Sequence, residues 1–286
     1  MRIFSKCTCW LMICVLLWGS AHFAFADQYL DVEASFAHKE SFSGLVSIPG
    51  VEMPVRYYAQ NDALWSDLVY ERKDSKKRRP FRDSGCGPTA LAMAISALVD
   101  ENEISRIGAY AKKPYSLCTC SLNDEQCDRH AARYYITSER DFVRFLPLVL
   151  GDFAAGNNTF GVYSRSETVA GTSTGYIENV CTIYGLDCRF TYDYNEALEA
   201  LSNKDASVFA LAGNGGCFTN VGHYVYLAHA DEAQLYVLDP LCRKEYKTNK
   251  SSKLCIIEPG LVSLDHADVS AANFSNFIIL TKHAGQ

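Results

Sequence analysis

Residues 84–99 read Ser-Gly-Cys-Gly-Pro-Thr-Ala-Leu-Ala-Met-Ala-Ile-Ser-Ala-Leu-Val. From Pro88 to Val99 the run is rich in helix formers, with apolar residues on most faces, and predicts a buried helix. Pro88 suits its first turn, where a missing N–H costs nothing. Cys86 therefore stands at the start of a helix, between Gly85 and Gly87. Unpaired N–H groups and the positive end of the helix dipole favour a thiolate there and lower the thiol's proton affinity. The flanking glycines are read as room for a close-lying substrate backbone. A disulfide half or a core thiol is the structural alternative for Cys86.

Working outward, Val55-Arg-Tyr-Tyr58 predicts a short strand, and residues 139–150, 175–184 and 195–201 show helical spacing. After residue 206 the apolar period changes from 3.6 to 2. Ser207–Leu211, His223–His229, Gln234–Leu238 and Phe277–Leu280 read as strands, with Asp231-Glu232-Ala233 as a hairpin turn. Helices first and antiparallel strands afterwards predict an α+β fold with segregated layers.

A nucleophilic thiolate needs an imidazole and a group that fixes the ring. His223 follows a glycine-rich approach, Gly213-Asn-Gly-Gly-Cys-Phe-Thr-Asn-Val-Gly222, and opens a strand. Asp239 ends the paired strand, and a turn near Asp231 and Glu232 places it roughly opposite His223. His229 lies nearer the turn without a facing aspartate, and His130 lies among cysteines, so neither competes well as the base. A structural histidine is the bland alternative for His223 alone. The order Cys, His, Asp, with 137 residues between the first two, falls within the span of about 130–150 shown by papain-type enzymes.

The N-terminal residues 1–26 carry Arg2 and Lys6, an apolar run from Trp10 to Trp18 and a small-residue ending, Ala24-Phe-Ala26. They read as a signal peptide, which makes the protein secreted, extracellular or in the cell envelope, with no membrane association once the signal is removed. Residues 27–54 read as an N-terminal extension, either packed on the domain or a pro-segment, and 55–286 as one domain. Beyond residue 26 the chain holds 25 basic and 33 acidic residues, net −8, which argues against nucleic acid as a partner. The charged run from Glu71 to Pro80 reads as a solvated loop, with a processing or docking site as the alternative. A monomer is expected.

Twelve cysteines less three in the signal leave nine, an odd number that fits one free thiol among disulfides or an intermolecular bridge. With Cys86 free, Cys181–Cys188 and Cys242–Cys255 are plausible local bridges. Cys118, Cys120, Cys127 and Cys217 then allow three arrangements. A zinc site built from Cys118, Cys120, Cys127 and His130 is the rival reading, but the expectation is no metal and no cofactor.

The blocks YYAQNDALW, GCGPTALAMAISAL and GHYVYLAHADEAQLYVLDP together resemble the bacteriocin-processing (double-glycine leader) cysteine peptidases, and more closely their secreted stand-alone relatives. The resemblance implies a papain-like fold. It implies Cys86 as nucleophile, His223 as base, Asp239 as the orienting acid and Gln60 as the glutamine that stabilises the oxyanion. The substrate does not follow from the resemblance; the leading expectation is hydrolysis of a peptide or isopeptide bond in a peptide or protein substrate. The cysteine-rich insertion, the basic run and the N-terminal extension depart from the family pattern, and no ATP-binding or transporter segment accompanies them. A cell-wall amide hydrolase, an acyltransferase or a peptidase-like binding module without turnover are the competing functions.

Overall fold

A computed structural model describes residues 41–66, 81–115, 141–154 and 172–283, all within one unit, Ser41–Gln286. The expected signal peptide at 1–26, the run at 71–80, Cys118, Cys120, Cys127 and His130 lie outside the described residues.

Two short strands come first, β1 (Gly44–Val46) and β2 (Val55–Tyr57), paired antiparallel. Residues 41–43 are tied to the turn after β2 by Asp62. Its fully buried carboxylate accepts from Ser41 Oγ, Phe42 N, Ser43 N and Ser43 Oγ on one oxygen and from Leu64 N on the other. A buried carboxylate persists only when its oxygens are satisfied in this way. The described part of the N-terminal stretch is thus hydrogen-bonded into the same unit as the strands that follow.

The helices are α1 (Phe81–Ser84), α2 (Cys86–Leu98), α3 (Glu101–Tyr115), α4 (Asp141–Arg144), α5 (Leu146–Ala154), α6 (Thr174–Ile183) and α7 (Tyr194–Leu201). The predicted helix at 139–150 is two pieces. Pro147 has no N–H for the carbonyl of Val143, four residues back, so the ladder fails there. Tyr58 Oη donates to that carbonyl instead, at 2.6 Å. α2 is buried from Gly87 through Ile95. Its small Ala90, Ala92 and Ala94 let it lie close across the strands that carry the site.

Seven strands form one sheet: β3 (Leu186–Thr191), β4 (Ala206–Ala212), β5 (His223–Ala230), β6 (Gln234–Leu238), β7 (Leu254–Glu258), β8 (Leu261–Asp265) and β9 (Phe274–Lys282). Their order is β3-β9-β4-β5-β6-β8-β7 and every pairing is antiparallel. The fold is α+β. The central strands are apolar on both faces: Val208, Phe209 and Ala210 of β4 and Val225 and Leu227 of β5 are fully buried. One face packs with Ala197 of α7, while α2 packs on β5, β4 and β9. Each of the Val, Leu and Phe side chains contributes about 1.5–3 kcal/mol on burial.

Candidate active site

The site forms where α2 begins and β5 and β6 meet. Gly85 is the N-cap of α2 and offers no side-chain cap. Pro88 has no N–H, and Thr89 opens the helical ladder by donating to the Gly85 carbonyl at 3.1 Å. The N–H groups of Cys86 and Gly87 therefore head the helix without a carbonyl behind them, which is the donor pair an anion needs. Cys86 is half-buried and its sulfur is a free thiol.

His223, the first residue of β5, is buried and donates from Nε2 to Asp239 Oδ1 at 2.6 Å. That bond leaves Nδ1 as the ring nitrogen for Cys86, with which His223 is hydrogen-bonded. Asp239 follows β6 directly. The hairpin register, with Tyr226 opposite Leu238 and an irregularity between Leu227 and His229, sets Asp239 beside Val225 rather than His223. The contact is diagonal across one face of the hairpin, within reach of a long ring.

The electrostatics follow from these contacts. Burial opposes ionisation of Cys86. The His223 hydrogen bond and charge, with the N–H groups of Tyr224 and Gly87, outweigh it and hold the thiol below its ordinary range. Burial likewise disfavours the imidazolium, but the Asp239 charge and hydrogen bond, and then Cys86, raise His223 to about 9. Asp239 is fully buried, which raises its affinity for a proton. His223 and then Arg243 reverse this and lower it to about 2. Cys86, His223 and Asp239 thus stand in a row, and each shift favours the charged form of its group.

Gln60 is buried, and its Nε2 donates to the carbonyl of Arg82 in α1, four residues before Cys86. Its backbone N–H donates to the carbonyl of Pro240 at 2.6 Å, and Asn61 exchanges two hydrogen bonds with the backbone of Cys242. Tyr57 Oη donates to the Asp239 carbonyl at 2.8 Å. The Gln60 turn is thus clamped to the Asp239–Cys242 turn and to the segment leading into α2. One amide hydrogen of Gln60 is committed to Arg82, and its Oε1 is buried without a hydrogen-bond partner among the described residues.

The two glycines beside Cys86 have a packing reason besides the one expected. A Cβ on Gly85 would lie 2.4 Å from the Phe81 ring, and one on Gly87 would lie 1.8 Å from Thr172 Oγ1. The protein's own side chains fill the space a Cβ would need at both positions. Among the rivals, His229 stacks on Tyr236 near the hairpin turn, with ring centroids 5.8 Å apart. Among the described residues, no group of three or more histidine, cysteine or acidic side chains is arranged to hold a metal.

Cys86, Cys181, Cys188, Cys217, Cys242 and Cys255 are free thiols. Cys181, near the end of α6, and Cys188, in β3, are in side-chain contact. Cys242 donates instead to the Pro259 carbonyl at 3.6 Å. No described helix is long and apolar enough to cross a membrane.

Two residues at the site have no counterpart in the sequence reading, Arg243 and Tyr246, which both bind Asp239 Oδ2. The only signal for Arg243 is its position four residues after Asp239. No protein-family model matches the chain, and no curated protein matches it.

Proposed function

We propose that the chain is an exported cysteine peptidase of papain-like type, cutting a peptide or isopeptide bond through a thioester. The observation that carries this reading is the Cys86 thiol at a helix head, hydrogen-bonded to a histidine whose other nitrogen is held by a buried aspartate.

In the proposed cycle the Cys86 thiolate attacks the scissile carbonyl carbon. The oxyanion takes the Cys86 N–H and the second amide hydrogen of Gln60. His223 gives its Nδ1 proton to the leaving nitrogen as the C–N bond breaks, leaving an acyl thioester on Cys86. Neutral His223 then takes a proton from water, which attacks the thioester, releases the acid and regenerates the thiolate–imidazolium pair. Asp239 stays ionised throughout and keeps the ring in register.

The test is hydrolysis of casein and of a peptide library by the mature protein, set beside clearing of purified cell walls. Peptide cleavage lost in Cys86→Ala supports the reading. Cleavage retained in that variant overturns the mechanism. Clearing of cell walls without peptide cleavage moves the same chemistry to another amide.

A further inference from the structure

Asp239 carries more partners than a ring-orienting carboxylate needs. Oδ1 accepts from His223 Nε2 at 2.6 Å and from Leu241 N at 2.8 Å. Oδ2 accepts from Arg243 Nε at 2.9 Å, Arg243 Nη2 at 2.7 Å and Tyr246 Oη at 2.8 Å. The guanidinium is itself fixed, lying over the Tyr246 ring with its carbon 4.3 Å from the centroid. Tyr246 in turn packs edge-on against Phe218. Both carboxylate oxygens are saturated, and two cations share one anion.

We propose that Arg243, braced by Tyr246, is a positioning residue. It turns Asp239 so that Oδ1 alone meets His223, and it takes up part of the carboxylate's charge, so the imidazolium stays able to release its proton. This rests on the peptidase reading of the same site, because only a turnover that returns a proton needs a ring that is not held too tightly. An Asp–His pair buried without a second cation grips its proton more strongly, since nothing competes for the carboxylate. The planar fork of Arg binds one oxygen through two N–H groups and so supplies the orientation, while the charge is one that Lys also carries.

The charged and titratable groups facing this centre are His223 from β5, Cys86 from α2, Tyr57 from β2, and Cys242, Arg243 and Tyr246 from the segment after β6. Cys217 also feels the Asp239 charge. Of these, only Arg243 is a cation besides the imidazolium, so its loss leaves the others in place and removes one positive charge.

The experiment is an NMR pH titration of the His223 ring in the full mature protein and in Arg243→Gln, Arg243→Lys and Tyr246→Phe, together with iodoacetamide labelling of Cys86 at pH 6. Arg243→Gln is expected to raise the His223 midpoint by about one pH unit, the order that one nearby charge imposes. Arg243→Lys keeps the charge and is expected to keep the midpoint. Tyr246→Phe keeps the guanidinium and is expected to keep the midpoint as well. An unchanged or lowered midpoint in Arg243→Gln overturns the proposal, as does a shift in Arg243→Lys equal to that in Arg243→Gln. Should Arg243→Gln not fold, Arg243→Met is titrated in its place: a raised His223 midpoint supports the proposal, and an unchanged or lowered one overturns it. Wild-type labelling at pH 6 reads the peptidase assignment separately, so the two ideas fail by different signals.

Discussion

Substituting Gly87 by alanine separates packing from substrate access at the head of α2. The new Cβ would stand 1.8 Å from Thr172 Oγ1, 2.4 Å from its Cβ and 2.9 Å from its Cγ2. Non-bonded carbons do not approach closer than about 3 Å, so Thr172 or α2 must retreat by roughly 1 Å. Thr172 is poorly placed to do so. Tyr224 Oη holds its carbonyl at 3.2 Å, and the next residue, Ser173, caps α6 by accepting from Tyr176 N. Overpacking of this kind costs about 1–3 kcal/mol. For a domain of this size the melting temperature should fall by about 2–4 °C per kcal/mol.

Urea and thermal unfolding of Gly87→Ala measure the loss, and second-site variants assign it. Thr172→Ala leaves the Cβ clash and should restore little, whereas Thr172→Gly removes all three clashing atoms and should restore most of the stability. If Gly87→Ala melts with wild type while only its KM rises, the glycine serves the substrate and the packing argument is wrong.

Three other outcomes follow from the same contacts. Hydrolysis should hold across neutral pH and fall as pH rises through about 9, because His223 is raised and loses its proton there. Its acid limb should lie below the ordinary thiol range, because the Cys86 thiol is depressed, and a kcat/KM profile reads both limbs. Asp62→Asn turns an acceptor that serves four donors on one oxygen into an amide, and should cost about 2–4 kcal/mol in urea unfolding; a change under about 0.5 kcal/mol would contradict its role. In protein recovered from an oxidising compartment, peptide mapping should find Cys181 linked to Cys188, two hydrogens lighter than the thiols. Both alkylated without prior reduction would show that the contact is not a bridge.

Much of the site was legible because its signals are local. The apolar run after Cys86 reads as a helix, although α2 begins two residues before the predicted Pro88. The β5–β6 hairpin and its Asp231 turn follow from alternation and turn chemistry, and Asp231 Oδ1 accepts from Ala233 N and Gln234 N as such a turn requires. His223 and Asp239 were expected to stand opposite each other. They meet diagonally because the hairpin turn is centred between Glu232 and Ala233, which alone would set Asp239 opposite Tyr226; the irregularity between Leu227 and His229 moves it to Val225, on the same face as His223, and a single extra residue leaves no mark in alternation.

What escaped depends on distant parts of the chain. β3, Leu-Asp-Cys-Arg-Phe-Thr, is a polar edge strand, and β7 is mostly exposed, so neither shows a buried period. The use of Gly87 depends on Thr172, eighty-five residues on. Arg243 and Tyr246 lie in a turn with no periodicity, and their role exists only because Asp239 Oδ2 faces that turn.

The central claim is that His223 activates Cys86. Timed iodoacetamide labelling at pH 6, with the modified cysteine identified by mass mapping in wild type and in His223→Ala, tests it most directly. The account predicts one rapid, stoichiometric label on Cys86 in wild type, slowed at least about tenfold in the variant as the thiol returns toward its ordinary range. Equal rates in the two proteins, or labelling spread over the other cysteines with Cys86 untouched, would contradict it.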